Sequence, residues 1–132
     1  MVPQEGCDMT QIVDVATVAV PVADQGRALT FYTETLGFEK RMEAEFGGGM
    51  KWIEVGPKGS AMTIALPPLG EVKPGQDTGI RLVTENAKAD HEALRALGVD
   101  VGDLLDFPGA PPMFSFKDPD RNTLYIVERM TG

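Results

Sequence analysis

The sequence is poor in the side chains that most often carry chemistry: it has one cysteine, one histidine, one tryptophan and two tyrosines. A single thiol, Cys7, excludes an internal disulfide and suits a reducing cytoplasm, which is the expected location. Cys7 itself reads as an idle thiol on a polar N-terminal tail. No apolar run approaches the roughly 18 residues that cross a bilayer. The opening MVPQEGCDMTQ has neither a basic nor an apolar stretch of the kind that makes a secretory signal. Positive charge is also scarce, with 12 Lys and Arg against 20 Asp and Glu, a formal net charge of −8. Such a surface repels phosphate backbones, and no basic stripe with interleaved aromatics offsets it. Nucleic acid and anionic membrane are therefore excluded as main partners. The acidity suits either a cationic ligand or plain solubility.

What is present is the grammar of one α+β domain in two similar halves. At 132 residues the chain is long enough for a single hydrophobic core. After a tail over residues 1–11, IVDVATVAV reads as a strand rich in β-branched residues, ended by Pro21. Asp24 is a helix N-cap; Ala28, Phe31, Tyr32 and Leu36 recur at helical spacing, and Gly37 stops the helix. Phe38 to Phe46, KWIEV and AMTIAL follow as strands, with Gly47-Gly48-Gly49 as a hairpin connection. PLGEVKPGQD reads as a linker. The pattern then restarts with strand GIRLVT, the N-cap Asn86, a helix face of Ala89, Ala93, Leu94 and Leu97, and the stop Gly98. VDVGDLL, MFSF and TLYIV are expected as the last three strands, so each half reads as strand, helix and three strands. The matching helix exits, Leu36-Gly37-Phe38 and Leu97-Gly98-Val99, support a duplicated unit.

Several chemistries are unsupported. His91, flanked by Asp90 and Glu92, reads as a solvated helical residue, and no HxxxH or paired-cysteine spacing exists. Ser60 and Ser115 lack a nucleophile elbow. The glycine triplet precedes no helix start with Lys-Ser/Thr, so it is not a phosphate loop. Glu43 and Glu45 read as a solvated strand face.

VAVPVADQGRALTFYTETLGF, with its Val-Pro-Val strand end before Asp24, its Phe31-Tyr32 pair and Leu36-Gly37-Phe38, resembles the vicinal oxygen chelate superfamily of glyoxalase I, bleomycin-resistance proteins and extradiol dioxygenases, and HEALRALGVDV and FKDPDRNTLYIVE agree. The resemblance spans about residues 12–128. It implies two βαβββ modules in one domain, about 12–68 and 78–128 joined by a linker at about 69–77, with curved mixed sheets enclosing a cleft and helices outside. Enzymes of this superfamily hold a divalent metal at the cleft floor, where it binds neighbouring substrate oxygens. Its ligand positions fall here on Thr17, on Thr63 or Ala65, on Gly79 beside Thr78, and on Tyr125, none of them a usual divalent-metal ligand. No cofactor is therefore expected, and a metal would require a different assignment of these positions. DPDRN departs from the family's glycine at Arg121, at a cost of about 1 kcal/mol if that position needs a positive φ.

Period-two alternation then nominates what lines the cleft. Thr123, Tyr125 and Val127 share one face; so do Gly79, Arg81 and Val83, Trp52 and Glu54, and Phe114 and Phe116. The candidate ligand-binding residues are Tyr125, Arg81, Trp52, Glu54, Thr17 and Phe114, with no metal site and no assigned catalytic residue. Each has a plainer reading: Trp52 as core or dimer interface, Arg81 as a surface ion pair, the phenylalanines as core. The resemblance implies a metal-free, bleomycin-resistance-like protein that sequesters a small cationic or aromatic molecule, as a homodimer. Two alternatives remain: a lyase, isomerase or dioxygenase of the same superfamily with an atypical metal site or none, its minimal machinery being Tyr125 as proton donor and Arg81 as oxyanion partner, and a protein-interaction module.

Overall fold

The computed structural model describes residues 10–68, 73 and 75–130. Cys7, most of the tail and most of the linker lie outside the described residues. The order of elements is β1 (Val18–Ala19), α1 (Gln25–Thr30, extended by a wide helical turn at Phe31–Thr35), β2 (Glu39–Glu45), β3 (Lys51–Gly56), β4 (Ile64–Ala65), β5 (Asp77–Thr84), α2 (Ala87–Ala96), β6 (Met113–Lys117) and β7 (Thr123–Glu128). The strands form two mixed sheets, ordered β1-β4-β3-β2 and β5-β7-β6. In each, the strand before the helix pairs in parallel with the last strand of its half, and the remaining pairings are antiparallel.

Both helices begin where capping chemistry places them. The Asp24 side chain accepts from Arg27 N and the Asn86 side chain from Ala89 N, each satisfying an amide with no partner inside the helix. The first helix ends on a wide turn in which Leu36 N reaches Phe31 O at 3.1 Å.

Three expected strands shrink, AMTIAL among them, which reduces to Ile64–Ala65. The long strand from Ile12 reduces to Val18–Ala19, and Ile12, Val13 and Val15 stand 82%, 94% and 60% exposed, with no ladder beside them. VDVGDLL forms only isolated bridges to β6, Val101 to Phe116 and Leu105 to Met113. Between its contacts Gly102 N to Ser115 O and Leu105 N to Met113 O, three residues advance against two, a bulge that breaks regular pairing. This segment still occupies the edge that β2 occupies in the first sheet.

One core joins the two halves. Val20, Val22, Ile53, Val55, Ile64 and Leu66 come from the first sheet, and Phe114, Phe116, Leu124 and Ile126 from the second. Ala28, Tyr32, Ala87 and Leu94 come from the helices, so the helices cover the core-facing side of each sheet. Phe31 crosses between halves, its ring 6.3 Å from that of Phe116.

A buried polar turn reinforces this junction. Asp118, Asp120 and Asn122 are 2%, 4% and 0% exposed, although the turn resembles a surface loop in sequence. Tyr32 Oη donates to Asp118 Oδ2 at 2.9 Å, Ala23 N donates to Asp120 Oδ1 at 2.9 Å, and Asn122 Nδ2 donates to Pro21 O at 2.9 Å. Three side chains of the second half thus satisfy groups of the first. Arg121, at the tip, has φ 67° and is the one described non-glycine residue in the left-handed region.

Candidate functional site

Because side chains alternate along a strand, the face opposite the core is fixed once the core is known. On the first sheet that face carries Trp52 and Glu54 from β3, Met42 and Ala44 opposite them on β2, and Thr63 before β4. These residues are linked. Trp52 Nε1 donates to Glu54 Oε2 at 2.7 Å, and Thr63 Oγ1 lies 2.8 Å from both Glu54 Oε1 and Thr17 Oγ1. Thr17 Oγ1 in turn donates to Thr63 O at 3.0 Å. Three nominated cleft residues, Trp52, Glu54 and Thr17, therefore join with Thr63, which falls at a family ligand position, in one hydrogen-bonded chain.

The second sheet presents Asp77, Gly79, Arg81 and Val83 from β5 beside Thr123, Tyr125 and Val127 from β7. Tyr125 Oη donates to Asp77 Oδ2 at 2.8 Å, and the Arg81 guanidinium carbon lies 4.4 Å from the Tyr125 ring centroid. Arg81 also donates to Gly79 O at 2.7 Å. The donated hydrogen bond lowers the Asp77 pKa below the usual carboxylate value, helped by Gly79 N, and the same bond raises that of the Tyr125 phenol. The ladder irregularity between Asp77 and Arg81 centres on Gly79, whose φ of 70° an L side chain adopts only under strain. That bend, with Gly79 N donating to Asp77 Oδ1 at 3.1 Å, holds the carboxylate over Tyr125.

Between the free edges of β1 and β5 runs a groove of about 630 Å³. Val18, Met62 and Thr63 line one side, and Ile80, Arg81 and Leu82 the other, so it touches both polar clusters. A separate groove of about 330 Å³ lies among Leu36, Phe38, Leu94 and Leu97 and contains none of the nominated residues.

Two sequence expectations need correction. Phe114 does not line the cleft: it is 1% exposed, on the opposite face of its sheet from Tyr125 and Arg81, beneath α2. Nor is His91 freely solvated. Half-buried, its Nε2 lies 2.8 Å from Gly102 O and its ring packs edge-on against Phe114 at 5.0 Å, pinning α2 to the irregular edge segment. Asp77 was missed because PGQD reads as linker, although its parity with Gly79 and Arg81 was available. Glu43 does lie on an exposed strand face, where Lys40 and Lys51 hold its pKa at about 2.

The positions at which the resemblance places a divalent metal are poor in ligands. Thr17 and Thr63 offer neutral hydroxyls, Ala65 and Gly79 offer no donor side chain, and the Tyr125 phenol is committed to Asp77. Among the described residues, no three of His, Cys, Asp and Glu come together. This donor set does not fit a divalent cation held in the usual way.

The fold and the paired open faces define a class. The chain belongs to the Glyoxalase/Bleomycin resistance protein/Dioxygenase superfamily, whose sequence model matches residues 14–126. It is similar in structure to TnmS3, an antibiotic binding protein from Streptomyces sp. CB03234, with 31% identity, coverage of 92% of this chain and 99% of that one, and a TM-score of 0.80. A superfamily member from Sphaerobacter thermophilus is 33% identical over 91% of this chain and all of its own, with a TM-score of 0.84. In sequence, the uncharacterized protein YetH of Bacillus subtilis is 30% identical, over 89% of this chain and 99% of its own.

Proposed function

We propose that the protein binds and sequesters a small molecule between its two open sheet faces, without a metal. The observation that carries this reading is the pre-formed chain Trp52–Glu54–Thr63–Thr17 on one face, set beside a groove that Arg81 also lines. Apolar walls with a few fixed polar anchors are the usual character of a small-molecule site. The similarity to an antibiotic binding protein supports the same reading. In it, Trp52 supplies a flat surface for a planar ligand, and Tyr125 and Arg81 close the opposite side. The reading also includes assembly as a homodimer and a place in the cytoplasm. The Tyr125 hydroxyl donates to Asp77 at 2.8 Å, so this reading gives Tyr125 a binding role and not that of a proton donor.

Isothermal titration against a panel of planar aromatic and cationic compounds tests the reading. Saturable binding, lost in Trp52→Ala, is the expected result, and silence across the panel would refute it. Light scattering at micromolar concentration should give twice the chain mass; a strict monomer removes the dimer.

A further inference from the structure

Glu54 is distinguished by what surrounds it. Its side chain is half-buried on the open face, and each carboxylate oxygen accepts from a neutral donor, Trp52 Nε1 at 2.7 Å and Thr63 Oγ1 at 2.8 Å. Several acidic residues on these sheets and turns pair with cations: Glu43 with Lys40 and Lys51, Glu39 with Arg41, Glu85 with Arg129, Asp100 with Arg121 and Asp120 with Arg27, whereas Asp77, Asp118 and Glu128 accept from neutral donors as Glu54 does but without an indole beside them. Among the described residues no Lys or Arg nitrogen lies within ion-pair distance of Glu54, and its strand neighbour Lys51 is turned to Glu43 instead. Two neutral donors orient the carboxylate but leave its charge uncompensated and each oxygen with spare acceptor capacity. The neighbouring Trp52 face also attracts cations, and Met42, 47% exposed, offers apolar surface opposite Glu54 on β2.

From this we infer that Glu54 and Trp52 form an ammonium subsite: the ligand carries a protonated amine on an apolar or aromatic body. The nitrogen donates to Glu54, and the body packs on Trp52 and Met42. Thr63 is a positioning residue, holding the carboxylate while Thr17 holds Thr63. The inference rests on the small-molecule reading above and names the chemistry of one end of the ligand.

The single tryptophan gives a private signal, because a ¹⁵N-labelled sample has one indole N–H resonance and that N–H is the donor to Glu54. Two isosteric probes are titrated at pH 7: 1-naphthylmethylammonium and neutral 1-naphthalenemethanol. The ammonium should move the indole resonance saturably and bind at least about tenfold more tightly than the alcohol, in line with a charge-assisted hydrogen bond. Raising salt should weaken the ammonium alone. Glu54→Gln should abolish the preference while leaving the rest of the spectrum dispersed. If that variant fails to fold, Glu54→Asp, which keeps the charge but withdraws it by one methylene, should weaken the ammonium and spare the alcohol.

Equal affinity for the two probes in the wild type overturns the inference, as does a preference that survives the loss of Glu54. In those cases binding itself, and so the wider reading, stands. If neither probe moves the resonance up to its solubility limit, the ammonium subsite falls, and the panel titration separately decides the wider reading.

Discussion

Replacing Tyr32 by phenylalanine removes one oxygen from the junction of the two halves and almost nothing else. The ring is fully buried and keeps its edge-on contact with Phe31 at 5.3 Å, so packing survives. What is lost is the hydrogen bond to Asp118 Oδ2 at 2.9 Å. Asn122 Nδ2, 3.2 Å from the same oxygen, remains, and Asp118 Oδ1 keeps the amides of Asp120 and Asn122. A hydrogen bond to a charged group contributes about 1.5–3 kcal/mol net. The surviving partners place this loss near the lower end, about 1.5–2 kcal/mol. For a chain of this size that is a drop in Tm of roughly 5–8 °C.

The pH dependence gives a second handle. Burial first, and then the charge of Asp118, raises the Tyr32 pKa well above its ordinary value of 10.0. A raised folded-state value means that the contribution is complete below the unfolded pKa and is lost as pH rises from there towards the folded one. The stability gap between wild type and Tyr32→Phe should therefore be constant from neutrality to about pH 9 and narrow above about pH 10. Urea denaturation followed by circular dichroism across that range measures it. A gap below about 0.5 kcal/mol at neutral pH, or one that widens in alkali, would refute the reasoning.

Other perturbations test separate parts of the structure. Arg121→Gly should raise stability by about 0.5–1 kcal/mol in chemical denaturation, because relief of the left-handed backbone outweighs loss of the exposed Asp100 pair. Phe114→Ala should cost about 3–5 kcal/mol by the same assay, as befits a core ring and not a ligand wall. Asp77→Asn should bring the Tyr125 pKa down towards the ordinary tyrosine value, as seen by spectrophotometric titration of the phenol in alkali. An unchanged titration would show that the Asp77–Tyr125 bond does not persist in solution.

Local signals in the sequence translated well where the physics is local. Asp24, Asn86, Gly37 and Gly98 mark helix ends because capping and left-handed exits depend on a few neighbouring atoms. Strand length is a different matter. Ile12, Val13 and Val15 have every intrinsic reason to be extended, yet a ladder needs a partner, and the parallel pairing with β4 begins only at Val18. Alternation grouped Trp52 with Glu54, and Arg81 with Gly79, correctly. Alternation cannot say which of two faces the helices will cover, and so Phe114 was placed on the wrong side. The Glu54–Thr63 contact joins residues on neighbouring strands, and only the register between β3 and β4 brings them together.

The buried turn at Asp118–Asn122 also bears on how the duplicated unit behaves as a material. A half expressed alone would present Asp118, Asp120 and Asn122 without Tyr32, Ala23 and Pro21, or those groups without their partners. Desolvated and unmatched, each would oppose burial of the apolar surface around it. Internal similarity therefore does not imply internal independence. The two repeats are interlocked by polar groups that neither can satisfy for itself, and amide exchange should show β3 and β7 opening together in one cooperative event.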